Sequence, residues 1–317
     1  MPKSSKSTKV TATLTQVAKL YYNDGLSHQE IAQKLSVSRS LITQYLKKAK
    51  DQGIVQIEIV EPESHHEELI KKIKSKTTLK HLKIISQAHN SDELTRKAVS
   101  SAGLELVQEL AKDKMVLGLA LGRNVIDMVE GAGDLTPRAM RLLPLFGESS
   151  AHNQYNQINH TVMTLAKAFN CEANFLHAPM MVDSKELKET LMRDATIKKV
   201  CALWKVLDLS IMGIGAIPQT AGMVPFISKK EMDTLRRDGA VGDICGHYYD
   251  IEGELLPSKH DSRLIGATVK QLKRCPQNIA LTYGSDKARA VVGALKTKIL
   301  NGLVIDQSCA EEVADML

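Results

Sequence analysis

Residues 27–50, SHQEIAQKLSVSRSLITQYLKKAK, read as two short helices joined by a tight turn, the second carrying a polar, basic face. Ser27 followed three residues later by Glu30 makes a capping box, so a helix is expected to start at His28. Ile31, Ala32 and Leu35 recur at one-turn spacing and give it a single apolar stripe. Ser36, Val37 and Ser38 interrupt the run, and Ser38 is the candidate N-cap of the next helix. There Leu41, Ile42, Tyr45, Leu46 and Ala49 share one face, which leaves Arg39, Ser40, Thr43, Gln44, Lys47 and Lys48 on the other. Those side chains suit phosphate and base-edge contacts from a helix in the major groove of double-stranded DNA. Gln29, in the first turn of the leading helix, completes the candidate set. A surface hairpin with a solvated basic face is the competing reading. Turn length, caps and stripe together favour a helix-turn-helix.

Working outward, Leu14 to Asn23 is expected to form a preceding helix with Leu14, Val17, Ala18 and Tyr21 buried, ended by Asp24-Gly25. The first twelve residues, MPKSSKSTKVTA, are polar and Lys-rich and read as a disordered basic arm. After Gly53, residues 54–60 alternate, with Val55, Ile57 and Ile59 on one face, as a wing strand would. The head is thus a winged-helix-like unit over 13–60. Polar EPESHH with Pro62 marks a boundary, and EELIKKIKSK at 67–76 reads as a charged connector helix, a solvated spacer within a linker at 61–78.

Charge is uneven: residues 1–60 hold 9 Lys+Arg against 4 Asp+Glu, a net of +5 out of +6 for the 317-residue chain. A basic head on a near-neutral body fits a localised nucleic-acid contact. The five cysteines show no CxxC or metal spacing and suit a reducing cytoplasm. No run approaches the ~20 apolar residues of a membrane helix, and the arm lacks a signal-peptide core. With no Walker P-loop, HExxH or GxSxG, neither cofactor nor metal is expected.

From about Leu79 the chain alternates apolar runs with amphipathic helices. Strands are expected at 80–86, 115–121, 140–145, 173–177, 207–214, 278–282 and 301–305, with helices at 92–111, 123–131, 156–169, 185–193, 195–206, 229–237, 285–299 and 309–316. Capping boxes are read at Asp183/Glu186, Ser228/Glu231 and Ser308/Glu311. Such alternation implies a Rossmann-like α/β domain at 79–317, its mostly parallel sheet covered on both faces. Two strand-to-helix junctions share one construction: MVLGLAL runs through Gly122 into Arg123 and Asn124, and NIALTY through Gly284 into Ser285, Asp286 and Lys287. A helix N-terminus is an anion seat, and a cation there is unfavourable unless an anion sits close by. The pair therefore suggests a ligand phosphate between Arg123 and Lys287, at the strands' carboxyl ends. Alternatively each glycine makes a tight turn and each cation is solvated. Asp243, in the Gly-punctuated loop GAVGDICGHYYD, either holds sugar hydroxyls or bonds its own turn. Gly147 and Glu148 are rim candidates, Gln157 and Asn159 at the start of the next helix are candidates to point inward, and His177 defaults to a structural histidine.

With these residues in hand, the chain resembles the SorC family of bacterial sugar-responsive transcriptional regulators over nearly its whole length. The likeness rests on residues 18–59 in the head, and on LGLALGR, LHAP, MGIGAI, GAVGDICGHYYDIEGE, YGSDKARAVVGAL and KILNGLVIDQSCAEEV in the body. It implies a body with the fold of sugar-phosphate isomerases and deaminases, a homotetramer, operator DNA as partner and a phosphorylated sugar as effector. It also implies that Gly122, Arg123, Asn124, the rim at Gly147, and Asp243 with Lys287 line the pocket. The chain departs from the family at three places. Glu148 stands where a second glycine is common, and beside a phosphate it would be repulsive, which admits a free sugar or polyol instead. Phe146 stands where one branch has a Schiff-base lysine, so covalent capture is not carried over. Ser36 replaces a frequent turn glycine. The rival from another class is a sugar-phosphate isomerase or deaminase with an added head, drawing acid–base groups from Asp243, Asp183, His177 and Lys287.

Overall fold

The computed structural model describes residues 4–51, 53–55, 63–86, 91–149, 157–217 and 227–317. The chain divides into two units, Met1–Val60 and Glu61–Leu317.

In the first unit, α1 (Ser4–Tyr22), α2 (His28–Leu35) and α3 (Arg39–Asp51) pack through Val17, Leu20, Ile31, Ala32, Ile42 and Leu46. Both bonds of the Ser27/Glu30 capping box form. Ser36 closes α2 in the left-handed region at φ 53°, doing what a turn glycine would. Ser38 Oγ accepts the Leu41 N–H at 3.2 Å and so caps α3. The expected arm does not hold from Ser4 onward: α1 starts there, since no Gly or Pro lies between Ser4 and Tyr22 to stop a helix propagating back from its packed half. Ile54 and Val55 pack beside Leu14, Ala18 and Ala49. They lie in a turn, and the rest of the expected wing strand, 56–60, falls outside the described residues.

The second unit opens with α4 (Glu63–Lys76), β1 (His81–Ile85), α5 (Asp92–Leu110), β2 (Val116–Leu119), α6 (Arg123–Glu130), β3 (Arg141–Pro144), α7 (Ile158–Ala168) and β4 (Glu172–Ala173). It continues through α8 (Lys185–Arg193), α9 (Ala195–Leu203), β5 (Leu209–Gly213), β6 (Gly215–Ala216), α10 (Lys229–Arg237), β7 (Ala240–Ile244) and β8 (His247–Asp250). The chain ends with α11 (Val269–Arg274), β9 (Gln277–Thr282), α12 (Ala288–Lys296), β10 (Gly302–Asp306) and α13 (Gln307–Met316). Seven strands form a parallel sheet in the order β1-β10-β9-β5-β2-β3-β4, and β6-β7-β8 form a small antiparallel one. Helices cover both faces, as parallel strands require. In β10, Leu303 and Ile305 join the cluster holding Val291 of α12 and Val313 of α13, while Val304 joins that of Val99, Val125 and Val162 from α5, α6 and α7.

Three expectations are corrected here. The strand at 173–177 shrinks to Glu172–Ala173 on the sheet edge beside β3. GAVGDICGHYYD is a β-hairpin, not a loop: Ile244 pairs with His247 across Cys245 and Gly246, both at positive φ (51° and 80°), the two-residue turn that matches strand twist. Of the three body capping boxes, Ser228/Glu231 forms, whereas α8 is capped by Ser184 and α13 by Asp306.

The connector is corrected too. Leu69 and Ile73 of α4 are 9% and 0% exposed within the main core cluster, so α4 belongs to the second unit and is no solvated spacer. Lys72 Nζ bonds Asp315 of α13 at 2.8 Å, and His66 Nε2 lies 3.2 Å from Gln307 Oε1. Ile73→Ala is expected to cost about 2–4 kcal/mol in chemical denaturation. A loss under about 0.5 kcal/mol, as for a surface site, would restore the spacer.

Candidate functional site

On α3 the faces divide as the sequence implies: Ile42, Leu46 and Ala49 are buried, and Arg39, Ser40, Thr43, Gln44, Lys47 and Lys48 are exposed. Gln29 on α2 is exposed as well. Two hydroxyls are already engaged. Thr43 Oγ1 lies 3.3 Å from both the Arg39 carbonyl and His28 Nδ1, and Ser40 Oγ lies 3.0 Å from Ser38 Oγ. Arg39, Gln44, Lys47 and Lys48 have no side-chain partner among the described residues.

In the body, β2 leads to β3 on one side while β5 lies on its other side, so the loops leaving β2 and β5 diverge. That is the switch point of the sheet, where open α/β folds bind ligands. Gly122 ends the β2 loop against Gly213 at the end of β5, where an added Cβ would lie 3.6 Å from the Gly213 Cα. Arg123 and Asn124 open α6 directly behind it, Arg123 exposed and Asn124 buried. From β5 the chain passes into β6, whose Gly215 pairs with Asp243 of β7. On β5's other flank, β9 runs into Gly284 and a single 3-10 turn, Ser285–Lys287, before α12.

Electrostatics tie these positions together. Burial lowers the Lys287 ammonium from its ordinary 10.5; the Arg123 guanidinium acts the same way, while Asp286, Cys309 and Asp306 oppose it. Among the described residues neither Arg123 nor Lys287 has an ion pair. Lys287 Nζ lies 5.4 Å from the Tyr283 ring centre. Burial raises the Asp243 carboxyl, opposed by the Gly246 N–H, His260, His247 and Lys287. Asp243 Oδ2 accepts that Gly246 N–H at 3.1 Å, so this carboxylate bonds its own turn while the Lys287 charge acts on it weakly.

Buried polar atoms lack partners here. Asn124 Nδ2, in the first turn of α6, and Thr282 Oγ1, at the last residue of β9, find none among the described residues. A buried unmet donor or acceptor costs about 1–3 kcal/mol, which a polar ligand atom offsets. Sequence reasoning missed Thr282 and Gly213, because an apolar run shows neither its unpaired hydroxyl nor its neighbour across the sheet.

The rim candidates behave differently. Gly147 is buried, and a Cβ there would sit 2.5 Å from the carbonyl oxygens of Ala178 and Pro179, so close backbone approach accounts for this glycine. Glu148 Oε2 accepts the Asn159 N–H at 3.3 Å, taking the N-terminal end of α7 that Gln157 leaves without a side-chain cap. Burial raises the Glu148 carboxyl, against the Asn159 and Ile158 N–H groups and His177. Those groups offset part of its charge and so weaken, without removing, its repulsion toward a phosphate. Gln157 is exposed and follows residues outside those described. Asn159 is committed to the Leu176 backbone, at 3.1 and 3.0 Å. A cavity of about 280 Å3 beside β8, bordered by Lys188, His247, Tyr248 and Asp261, includes none of the junction residues. No described helix is long and apolar enough to cross a membrane, and all five cysteines are free thiols.

Comparison with known proteins adds the family. The family described as "Putative sugar-binding domain" matches residues 61–314, and winged helix-turn-helix DNA-binding matches residues 20–56. The sorbitol operon regulator of Klebsiella pneumoniae is 27% identical over 303 residues, covering 94% of this chain and 96% of that protein. The deoxyribonucleoside regulator of Bacillus subtilis (strain 168) is 26% identical over 305 residues, covering 95% and 97% respectively. The crystal structure of full-length SorC from Klebsiella pneumoniae aligns with a TM-score of 0.77 at 26% identity, over 96% of this chain and 98% of that one. With the helix-turn-helix matched in the head and the sugar-binding family matched over most of the body, the chain belongs to the SorC family of sugar-binding transcriptional regulators.

Proposed function

We propose that the chain regulates a carbohydrate operon by reading operator DNA with α3 while a phosphorylated sugar or polyol lodges at the carboxyl edge of the sheet. In this reading Arg123 and Lys287 take the phosphate, Asn124 and Asp243 hold hydroxyls, and Gly122 lets the ligand approach the backbone. Glu148 and Gln157 stand at the rim, and Gly147 supports it from behind. The carrying observation is the pair of cations from different strand ends, in mutual electrostatic reach and without ion pairs among the described residues. Four copies of the chain set two or more heads at a spacing that fits the operator, since half-site spacing mirrors protein symmetry. In this reading the ligand is bound and not turned over.

Thermal shift of the full-length protein against phosphorylated and free sugars and polyols tests the effector role, since a ligand at 100 times its Kd adds about 2.7 kcal/mol. Stabilisation by free sugars alone would remove the phosphate from the proposal, and steady turnover of any ketose or aldose phosphate would favour the enzyme. On the DNA side, Lys47 is assigned to phosphate contact. Lys47→Ala is expected to weaken all duplexes alike and to reduce the slope of log K against log salt by about 1. A loss confined to one sequence would reassign Lys47 to a base.

A further inference from the structure

The junction at Gly284–Lys287 is bonded to Asp306, whose other contacts lead toward α13. Asp306 closes β10 and is 1% exposed. Its Oδ1 accepts the Gly284 N–H at 2.7 Å. Its Oδ2 accepts the Cys309 N–H at 3.3 Å and the Ser308 hydroxyl at 2.5 Å, which caps α13. Capping alone needs one oxygen, and Ser caps a helix as well as Asp does. The second oxygen is used on a residue 22 positions earlier in the chain.

Beyond Asp306, α13 lies against α4. Val313 and Ala314 share a cluster with Leu69 and Ile73. Asp315 pairs with Lys72 at 2.8 Å, and Gln307, the residue after Asp306, meets His66 at 3.2 Å. The DNA-binding unit ends at Val60 and α4 starts at Glu63. So the segment entering the head begins where this chain of contacts ends.

We propose that Asp306 is a positioning residue coupling the effector junction to α13 and α4, and through them to the DNA-binding unit. This rests on the effector reading above. When a ligand draws in Lys287, the Gly284 amide three residues before it shifts, and the rigid carboxylate carries that shift to the first turn of α13. Because α13 and α4 share one packed cluster and an ion pair, they move together. Coupling of this kind requires an element with two arrangements whose balance both ligands bias.

The test separates the two jobs of the carboxylate. Asp306→Ser keeps a cap for α13 and is too short to reach Gly284; Asp306→Asn retains the length with a single acceptor oxygen. Full-length wild type and both variants are titrated onto a duplex recovered by the wild type from random sequence. Titrations run with and without glucose 6-phosphate, fructose 6-phosphate, sorbitol 6-phosphate, deoxyribose 5-phosphate and the corresponding free sugars and polyols. In the wild type the effective ligand is expected to change DNA affinity by roughly 5- to 150-fold. In Asp306→Ser that factor is expected to fall below about 2-fold, with ligand and DNA each bound separately within about 3-fold of wild type; Asp306→Asn should fall between. A purely structural role lowers the melting temperature and leaves the factor intact, and that result overturns the inference. A wild type that binds a ligand without any change in DNA affinity overturns it too. A wild type stabilised by no ligand overturns the effector reading, and this route with it.

Discussion

Lys287→Ala is expected to weaken binding of a phosphorylated sugar by about 30-fold or more while changing binding of the corresponding free sugar by less than about 3-fold. Removing one partner of a desolvated, hydrogen-bonded charge pair costs about 2–5 kcal/mol, and 1.4 kcal/mol is tenfold in affinity. Lys287 is partly buried and has no ion pair among the described residues, so an arriving phosphate gains most of what the lysine can give. Arg123→Ala should have a smaller effect, because that side chain is exposed and screened by water. The pH dependence has a definite sign. Burial lowers the Lys287 ammonium from 10.5, with Arg123 adding to it. Between that lowered value and 10.5 the unfolded chain holds more protons than the folded one, so ligand-free stability from this group rises with pH across the window. A bound phosphate favours the charged form and raises the pKa, so binding there takes up protons. Calorimetry in two buffers of different ionisation enthalpy reads that uptake directly, and Lys287→Ala should abolish it. No uptake in the wild type, together with equal losses for phosphorylated and free sugar, would move the phosphate elsewhere.

What was legible in the sequence follows from the range of each signal. The head was readable because Ser27, Glu30 and the stripe from Ile31 to Ala49 act within a few residues of one another. The inner strands of the parallel sheet were readable as short apolar runs, since both of their faces are covered, whereas edge strand β1 alternates, with His81 and Lys83 among its five residues. α4 was misjudged because a helix in which Lys, Glu and His dominate places few apolar residues, Leu69, Ile70 and Ile73, on the core, and nothing local shows α13 waiting to receive them. The β7–β8 hairpin was hidden because its turn is Cys245-Gly246 rather than the usual Asn-Gly or Asp-Gly. At the site, cations beside glycines announced the two junctions. That Asp306 bridges to Gly284, that Glu148 caps α7, and that Gly147 yields to the Ala178 and Pro179 carbonyls are contacts between distant segments. Local patterning carries no trace of such bonds.

Arg39→Ala combined with Gln44→Ala is expected to collapse discrimination between a selected operator duplex and its scrambled counterpart by about 2–6 kcal/mol. Non-specific affinity should fall by no more than one phosphate contact's share. A good bidentate contact to a base edge is worth about 1–3 kcal/mol of discrimination. On the exposed face of α3, few side chains are placed to make one. Thr43 has its hydroxyl between the Arg39 carbonyl and His28, and Ser40 has its own on Ser38. Lys47 and Lys48 are point charges suited to the backbone. Arg39 and Gln44 remain, the first matched to guanine and the second to adenine. Competition anisotropy with single-base variants of the selected duplex should show the wild-type preference lost at the positions these two residues face. The salt slope should drop by at most about 1. Ser40→Ala and Thr43→Ala should leave base preference within about 1 kcal/mol, at the weak end of such contacts. If those two substitutions erase the preference while the Arg39/Gln44 pair does not, α3 meets the groove on a different face. The exposed basic stripe would then serve only to hold phosphates.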